Sequence, residues 1–240
     1  MTILQPFKTY FGGKAAHGAY QNIINQIPRC KVFVDAMVGN GGVVRNLKLP
    51  NKTILNDIDS FVIDAFVHVG QPQSNIVLEN IDYRTLIKKY DSDEDVVFYF
   101  DPPYLISSRS SKKKVYRYDW KENDHLDFLR IIKNMCSYVL VSHYPCDLYD
   151  NALSGWRKHD FTVQSRGGKK QERIYMNFDE PEILEDFRYV GKDYTDRQRI
   201  KRKIERQLEK LRSLEGAERV AILSSVIDEF DCTAERLILK

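Results

Sequence analysis

The chain has 240 residues, of which 42% are hydrophobic and 30% are charged, and its formal net charge at pH 7 is +3. A chain of this length can bury the core of one α/β domain, with or without a helical extension, so it needs no metal or disulfide bond to fold. Its four scattered cysteines form no C-x-x-C pair, which argues against a zinc knuckle or a disulfide framework. No segment approaches the length of a membrane span and Met1–Lys14 has no apolar run, so a cytoplasmic protein is expected.

Short apolar runs alternate with helical patterns along most of the chain. The runs predict five strands, at Val32–Val34, Thr53–Leu55, Asn75–Leu78, Val96–Phe100 and Tyr138–Ser142. Helical patterns are found at Ala16–Ile27, Val43–Leu47, Ser60–Val69, Tyr83–Tyr90 and Asn123–Cys136. This alternation predicts an α/β fold with a doubly wound, mostly parallel sheet. Phe161–Val163 and Arg173–Phe178, on either side of a Gly167-Gly168 turn, predict an antiparallel closing hairpin.

The last segment, residues 191–240, is predicted to form a separate basic helical hairpin after a domain at residues 1–190. One apolar stripe on its first helix consists of Ile200, Ile204, Leu208, Leu211 and Leu214. Thr195 and Gln198 predict a capping box at the start of this helix, and Gly216 predicts its end. Nine Lys or Arg residues against four Asp or Glu residues in Lys192–Arg212 are typical of a nucleic-acid-binding surface, although a structural brace is an alternative.

The sequence Asp101-Pro102-Pro103-Tyr104 directly follows the most apolar predicted strand. Ligands bind outside the carboxyl ends of strands in open parallel sheets. Prolines fix the backbone and lack N–H donors, which leaves carbonyl groups free to accept hydrogen bonds. A planar group with an exocyclic amine could donate to Asp101 and to the Pro102 carbonyl while Tyr104 stacks on its ring. A rigid turn without function is the alternative for an isolated motif of this kind, so the context decides.

That context is a glycine-rich turn, Asp35–Gly42, between the first strand and the next helical pattern. Glycines at this place allow the backbone to approach a ligand closely. Asn56-Asp57 ends the second strand, at a distance from the turn where an acid commonly binds ribose hydroxyls. Each signal alone is weak, but their order along the chain predicts a nucleoside-binding site next to an amine-binding site.

In this order the motifs resemble those of the Dam-type, D12-class family of DNA adenine N6-methyltransferases. The resemblance covers residues 7–178. It includes FKTYFGGK at residues 7–14, which is similar to the Gly-Gly-Lys motif of the family, and Glu172–Asn177, which is similar to its terminal strand. The Gly-Gly-Lys start combined with D-P-P-Y is the most specific part.

The resemblance implies an S-adenosylmethionine-dependent methyltransferase fold and methyl transfer to N6 of an adenine flipped out of duplex DNA, with no metal. The host would be a bacterial, archaeal or phage-infected cell. The implied catalytic residues are Asp101, Pro102, Pro103 and Tyr104. The implied cofactor-binding residues are Tyr10, Gly12, Gly13, Lys14, Asp35, Met37, Gly39, Asn40, Gly41, Asp57, Asp82 and Tyr83. Lys14 would pair with the cofactor carboxylate, and Met37 stands where the family usually has Phe. A solvated Lys14 and an Asp82 that only caps a helix are the alternatives.

Residues 107–118 mix cations, hydroxyls and aromatic rings, and we interpret them as a loop over the DNA backbone. The predicted DNA contacts are Arg109, Lys112, Lys113, Lys114, Arg117, Lys169, Lys170, Lys201, Arg202 and Lys203. Dam-type enzymes carry a sizeable target-recognition segment between the ribose acid and the catalytic motif. Here most of residues 58–100 belong to a predicted strand and its helix. Recognition of a DNA sequence is therefore expected to come from another segment or to be weak.

Four other functions are weighed against this one. An RNA methyltransferase acting on a base amine such as guanine N2 is the closest, because D-P-P-[FY] also occurs in such enzymes, although the Gly-Gly-Lys start favours DNA. N4-cytosine enzymes tend to have Ser in place of Asp101, and the Pro145-Cys146 dipeptide follows the wrong strand for C5-cytosine chemistry. A catalytically silent nucleic-acid-binding protein with the same fold is the fourth.

Overall fold

The chain forms two compact units, Met1–Phe187 and Arg188–Lys240. A computed structural model describes residues 3, 5–8, 12–15, 18–70, 74–92, 95–109, 116–165 and 168–230.

The first unit is built on a sheet that has seven strands in the described part of the chain. These are β1 (Val32–Asp35), β2 (Lys52–Asn56), β3 (Ile76–Glu79), β4 (Val96–Phe100), β5 (Tyr138–His143), β6 (Arg157–Ser165) and β7 (Gly168–Met176). Their order across the sheet is β3-β2-β1-β4-β5-β7-β6. The first five strands are parallel, and β7 is antiparallel to both β5 and β6. The predicted fold class, with its closing hairpin, is confirmed.

Five α-helices are described in this unit, and they agree with the sequence patterns to different degrees. They are α1 (Ala19–Ile24), α2 (Ser60–Val69), α3 (Tyr83–Tyr90), α4 (Glu122–Ile132) and α5 (Asp147–Ala152). The predicted bounds of α2, α3 and β4 are confirmed, α1 and α4 are shorter than predicted, and α5 was not predicted. Short 3₁₀ turns lie at Ile106–Ser108 and Phe187–Tyr189. Among the described helices, none has both the length and the apolar character that crossing a bilayer requires.

The helix predicted at Val43–Leu47 is replaced by consecutive turns. The amide nitrogens of Asn46 and Leu47 both donate to the Val43 carbonyl, each at 3.0 Å. In addition, the Asn46 side chain donates to the Gly42 carbonyl at 2.9 Å. Asparagine side chains offer the backbone such alternatives to regular helical bonding, and this explains why the helical prediction was wrong here.

The core surrounds β4, in which every residue is buried. Phe98 and Phe100 pack in one apolar cluster with Phe128 of α4, and Phe100 meets the Phe128 ring edge-on at 5.2 Å. Burying each such ring contributes about 1.5–3 kcal/mol to folding. A central parallel strand without solvent-facing positions explains the continuous apolar run in the sequence, and it gives the residues that follow β4 a rigid support.

The second unit contains α6 (Tyr194–Arg212) and α7 (Gly216–Glu229). Asp193 caps α6 by accepting a hydrogen bond from the amide nitrogen of Asp196 at 2.8 Å, so the predicted capping box at Thr195 is not used. Gly216 begins α7 instead of ending α6, which ends before Ser213.

Candidate active site

A cavity of about 370 Å³ lies where β1, β2, β3 and β4 end. Its described lining includes Asp35–Asn40, Asn56–Asp59, Ile81–Arg84, Asp101 and Pro103, and also Gly12–Lys14 and Tyr116–Trp120. The carboxyl ends of parallel strands are where ligands of such sheets bind. Seven aspartates but only three basic residues are among the described lining residues, so the cavity suits a positively charged ligand.

Asp57 links the glycine-rich turn to the end of β2. One carboxylate oxygen accepts a hydrogen bond from the Gly39 amide nitrogen at 3.0 Å, and the other accepts from the Asp59 amide nitrogen at 3.0 Å. Burial raises the pKa of Asp57 above its ordinary value, although these hydrogen bonds oppose the rise. The predicted ribose acid therefore faces the cavity and also holds the turn in its shape.

The glycine-rich turn also holds the N-terminal Gly-Gly-Lys segment. Asn40 accepts from the Phe7 amide nitrogen and donates to the Phe7 carbonyl, each at 3.1 Å. A Cβ atom on Gly42 would lie 2.7 Å from the amide nitrogen of Ala15, so only glycine lets the two backbones approach. Gly41 faces the Phe66 ring, at 3.0 Å from an ideal Cβ, and it is not among the described residues that line the cavity.

Lys14, which is buried, and Asp101, which is half-buried, form an ion pair at the D-P-P-Y motif. Lys14 Nζ lies 2.8 Å from Asp101 Oδ1 and 3.8 Å from an oxygen of Glu172, and it also donates to the Gly12 carbonyl at 3.3 Å. Burial alone would lower the pKa of Lys14, but the charges of Asp101 and Glu172 raise it overall. Burial raises the pKa of Asp101 to about 6, against the opposing effect of Lys14. Lys14, expected to meet a cofactor carboxylate, is thus paired with the Asp101 carboxylate.

Tyr104 is buried next to the cavity, and its hydroxyl donates to a carboxylate oxygen of Glu172 at 3.2 Å. Its ring contacts the Tyr144 ring, with centroids 4.5 Å apart, and Lys14 Nζ lies 4.8 Å from its centroid. Neither Tyr104 nor Pro102 is among the described residues that line the cavity, whereas Asp101 and Pro103 are. Stacking of Tyr104 on a substrate ring therefore stays a prediction.

Two residues near the motif were missed at the sequence level. Glu172 is buried on β7 although the residue before it is exposed and the residue after it is half-buried, so no apolar run in the sequence marks it, and its buried charge needs a partner. His143 ends β5, and its Nε2 accepts a hydrogen bond from the Leu105 amide nitrogen at 2.9 Å. Burial lowers the pKa of His143 to about 3, so a neutral imidazole fixes the backbone directly after Tyr104.

Arg109 was predicted to contact DNA, and the structure contradicts this. It is only 6% exposed and pairs with Asp119, which is 4% exposed, through bonds of 2.9 and 2.5 Å. Its Nε donates to the Tyr104 carbonyl at 2.5 Å. Because both charges are buried and paired, Arg109 connects the D-P-P-Y motif to the segment before α4 and is not exposed to bind phosphate.

Other predicted site residues have varied surroundings. Met37 lines the cavity and packs on the core. Asp82 caps α3 by accepting from the Arg84 amide nitrogen at 2.8 Å, and it also lines the cavity, so its two predicted roles are compatible. The Tyr83 ring is buried against Trp120, at 5.5 Å between centroids. Residues Tyr10, Lys112, Lys113 and Lys114 lie outside the described residues.

Arg117 and two lysines remain on the surface. Arg117 is 66% exposed and lies 3.2 Å from a carboxylate oxygen of Asp59, across the rim of the cavity. Lys169 is exposed and Lys170 is half-buried, both near the start of β7.

Gly12→Ala is expected to lower the free energy of unfolding by about 1–2 kcal/mol from backbone strain alone, because Gly12 has a φ of +71°. An added Cβ would also lie 2.1 Å from the hydroxyl oxygen of Tyr116, so that ring must move. Urea unfolding measures the loss. Gly155→Ala is the matched control, since no described atom lies within 4 Å of an ideal Cβ there. Equal stabilities of the two variants would contradict the close contact between Gly12 and Tyr116.

The model of the D12 class N6 adenine-specific DNA methyltransferases matches residues 67–167. The predicted family resemblance is confirmed over this segment. The match includes the D-P-P-Y motif, and it supports methyltransferase activity. The Gly-Gly-Lys start and the glycine-rich turn lie outside the matched residues, so their likeness to the D12 class rests on the motifs alone. No curated protein sequence matches the chain significantly.

Solved structures with a similar fold share little sequence with the chain. M. capricolum TrmK, in complex with its natural cofactor product S-adenosylhomocysteine, is 10% identical over 86% of this chain and 92% of that chain, with a TM-score of 0.44. An rRNA methylase from Streptococcus thermophilus is 13% identical over 67% and 93%, with a TM-score of 0.41. Precorrin 8W decarboxylase from Methanobacterium thermoautotrophicum is 12% identical over 65% and 86%, with a TM-score of 0.41.

Proposed function

We propose that this protein is an S-adenosylmethionine-dependent methyltransferase that methylates the N6 amine of an adenine flipped out of duplex DNA. The observation that carries the proposal is Asp101, which directly follows the central strand β4 within the segment matched by the D12 class and faces an acidic cavity. The N-terminal Gly-Gly-Lys segment lies at the same carboxylate, because Lys14 pairs with Asp101. This contact between two distant motifs supports one shared site.

The cavity fits a cationic cofactor. Asp35 has a buried carboxylate oxygen without a hydrogen-bond partner, and burial raises its pKa well above the ordinary value, with Asp101 and Asp57 adding to the rise. A ligand that carries an ammonium and a sulfonium would stabilise the ionised carboxylates. When bound, S-adenosylmethionine supplies an electrophilic methyl group. The residues that we propose to hold it are Gly12, Gly13, Asp35, Met37, Gly39, Asp57, Asp82 and Tyr83.

The chemical role of the motif follows from the acceptor groups that it offers. The adenine amine is a weak nucleophile because its lone pair is delocalised into the ring. Hydrogen bonds from the amine to Asp101 and to the Pro102 carbonyl would localise this lone pair and stabilise the charge that develops on nitrogen. When N6 bonds to the methyl carbon, the bond from that carbon to the sulfonium sulfur would break with its electron pair left on sulfur, and N6 would release one proton. A carboxyl group with a pKa of about 6 can take up that proton at Asp101 near neutral pH.

Reaching N6 requires the base to leave the stacked duplex. We propose that exposed basic residues bind the DNA backbone while the base is flipped out. We also propose that no dedicated segment recognises the DNA sequence. The proposed backbone contacts within the described chain are Arg117, Lys169, Lys201, Arg202 and Lys203, together with the half-buried Lys170. Arg109 is excluded from this set because its charge is buried against Asp119.

Replacing Lys201, Arg202 and Lys203 of α6 with Gln is expected to weaken DNA binding and to flatten its salt dependence, since each lost phosphate contact reduces the log–log slope by about 0.9. All three side chains are exposed. Fluorescence anisotropy with a mixed-sequence duplex at several salt concentrations measures the slope. The same replacement at three exposed residues of the first unit, Lys88, Arg130 and Lys133, is the matched control. An unchanged slope would make α6 a structural brace.

The proposed function is tested by incubating the protein and labelled S-adenosylmethionine with unmodified duplex DNA or with structured RNA, followed by nucleoside analysis. N6-methyldeoxyadenosine in DNA is the expected product. N2-methylguanosine in RNA would support the RNA methyltransferase instead. Calorimetry that detects no cofactor binding would support a silent nucleic-acid-binding protein. Long-read sequencing of DNA from expressing cells then identifies the methylated sequence.

A further inference from the structure

Glu172 is a buried carboxylate that the proposed methyl transfer does not use. It lies on β7, far along the chain from the D-P-P-Y motif, and it is 7% exposed. One of its oxygens accepts from the Tyr104 hydroxyl at 3.2 Å and lies 3.8 Å from Lys14 Nζ. Burying an ionised carboxylate is costly unless it is paired. Tyr104 and Lys14 are the partners that allow Glu172 to be buried.

Lys14 and the substrate amine would donate to the same carboxylate. The Lys14 ammonium already donates to Asp101 Oδ1 at 2.8 Å, and in the proposed reaction the adenine amine must donate to that carboxylate. A carboxylate can accept both donors, but once Asp101 takes up the proton from N6 it no longer neutralises the ammonium. Leaving Lys14 buried without an anion would be costly. The other anion beside it is Glu172, at a distance that a small side-chain rotation can close.

We propose that Glu172 is a positioning residue that retains the Lys14 ammonium while the adenine amine occupies Asp101. The same carboxylate holds the Tyr104 hydroxyl, so one group on β7 keeps both neighbours of the substrate in place. This inference rests on the proposed function, because the second donor is the adenine amine. It adds a residue from the closing hairpin to a site otherwise built from the parallel strands and the N-terminal segment.

Several titratable groups surround Glu172 and Asp101. The titratable groups that interact with Asp101 or Glu172 are Lys14, Asp35, Tyr99, Tyr104, Tyr116 and Tyr144. After burial and the opposing effect of Lys14, Glu172 contributes to the raised pKa of Asp101. Removing its charge should therefore lower the pKa of Asp101 and strengthen the hold of Asp101 on Lys14.

The test compares Glu172→Gln, which keeps the size but removes the charge, with Glu172→Asp, which keeps the charge. We expect Glu172→Gln to reduce kcat about tenfold, the scale of one charge-assisted hydrogen bond, and to leave KM for the cofactor unchanged. The acid limb of its kcat–pH profile should move to lower pH, because Asp101 then ionises more readily. Glu172→Asp should keep the wild-type position of the limb. Thermal unfolding of both variants shows whether they fold.

A double-mutant cycle decides whether Glu172 acts through Lys14. In a Lys14→Met background, Glu172→Gln should cause no further loss of kcat, because the ammonium is gone and the amide oxygen of glutamine can still accept from the Tyr104 hydroxyl. Equal and additive losses in both backgrounds, without a shift of the acid limb, would overturn the proposal and leave Glu172 a purely structural residue. A kcat for Glu172→Gln within twofold of wild type would also overturn it.

Failure of the proposed function is distinguishable from failure of the proposed role of Glu172, because wild type would then transfer no methyl group to DNA at any pH. The carboxyl pKa of Asp101 is in that case measured by ¹³C NMR in the free wild-type protein and in Glu172→Gln. A decrease larger than the one that Glu172→Gln causes in the Lys14→Met background supports the link from Glu172 through Lys14 to Asp101. An equal decrease in both backgrounds, or none, overturns it, whatever the substrate is.

Discussion

Asp101→Asn is expected to reduce kcat for methyl transfer to DNA by about 10²–10³-fold, the scale found when one preorganised electrostatic group is removed from an active site. Asparagine has the same size, but it carries no charge and cannot take up the proton that N6 releases. Cofactor affinity should change little, because the acids proposed to hold the cofactor are unaltered. Single-turnover kinetics measure the loss, and calorimetry measures cofactor binding.

The control for this variant is Asp59→Asn, which changes the same residue type on the same cavity. Asp59 caps α2 by accepting from the Phe61 amide nitrogen, and asparagine is an equally good cap, so nearly normal kcat is expected. Asp101→Asn also leaves Lys14 without its nearest anion, with Glu172 and the Gly12 carbonyl as remaining partners. Circular dichroism therefore checks that it is folded. A folded Asp101→Asn variant with kcat within tenfold of wild type would contradict the catalytic role.

Arg109→Met is expected to lower the free energy of unfolding by about 3–5 kcal/mol, because it removes the cation that neutralises the buried Asp119 carboxylate. It also removes the donor to the Tyr104 carbonyl, so the residues after the catalytic motif lose their tie to the segment before α4. For a chain of this size each kcal/mol corresponds to about 2–4 °C in Tm. Urea titration and differential scanning calorimetry measure the loss.

Arg117→Met provides a matched control, because Arg117 belongs to an exposed ion pair with Asp59. Such surface pairs contribute about 0–1 kcal/mol, so the two arginines should differ widely although both were predicted to bind phosphate. The double variant Arg109→Met with Asp119→Leu should recover much of the lost stability, because no unpaired charge remains. Similar losses for Arg109→Met and Arg117→Met would show that the Arg109 pair is not buried in solution.

Much of the fold was predictable because several helices and strands are determined by patterns within their own short segments of sequence. β4 reads as a continuous apolar run since no residue of it reaches solvent, and α2 has its cap and its buried stripe within its own sequence. The site was predictable where a motif lies within one turn, as in D-P-P-Y. Helix α5 escaped prediction because six residues are too few for a clear period.

Contacts between distant segments were not predictable from local composition. Arg109 lies in a basic stretch that looks like a phosphate-binding loop, and only its contact with Asp119 reveals a buried pair. Lys14 meets Asp101 across 87 positions of sequence, and a solvated or ligand-bound lysine was equally compatible with the Gly-Gly-Lys motif. Glu172 needed the hairpin of β6 and β7 to be folded against β5 before its partners could be named.

The absence of a side chain at Gly12 has an evolutionary consequence. An added Cβ would lie 2.1 Å from the Tyr116 hydroxyl oxygen and 3.3 Å from the ring carbon that carries it, so a larger residue at position 12 requires the Tyr116 ring to move or to be replaced by a smaller side chain. The positive φ of residue 12 disfavours such a substitution in addition. Among descendants of this sequence, a substitution at position 12 should therefore be found mainly with a smaller residue at position 116, and this pairwise covariation would join the start of the chain to the segment that follows its D-P-P-Y motif.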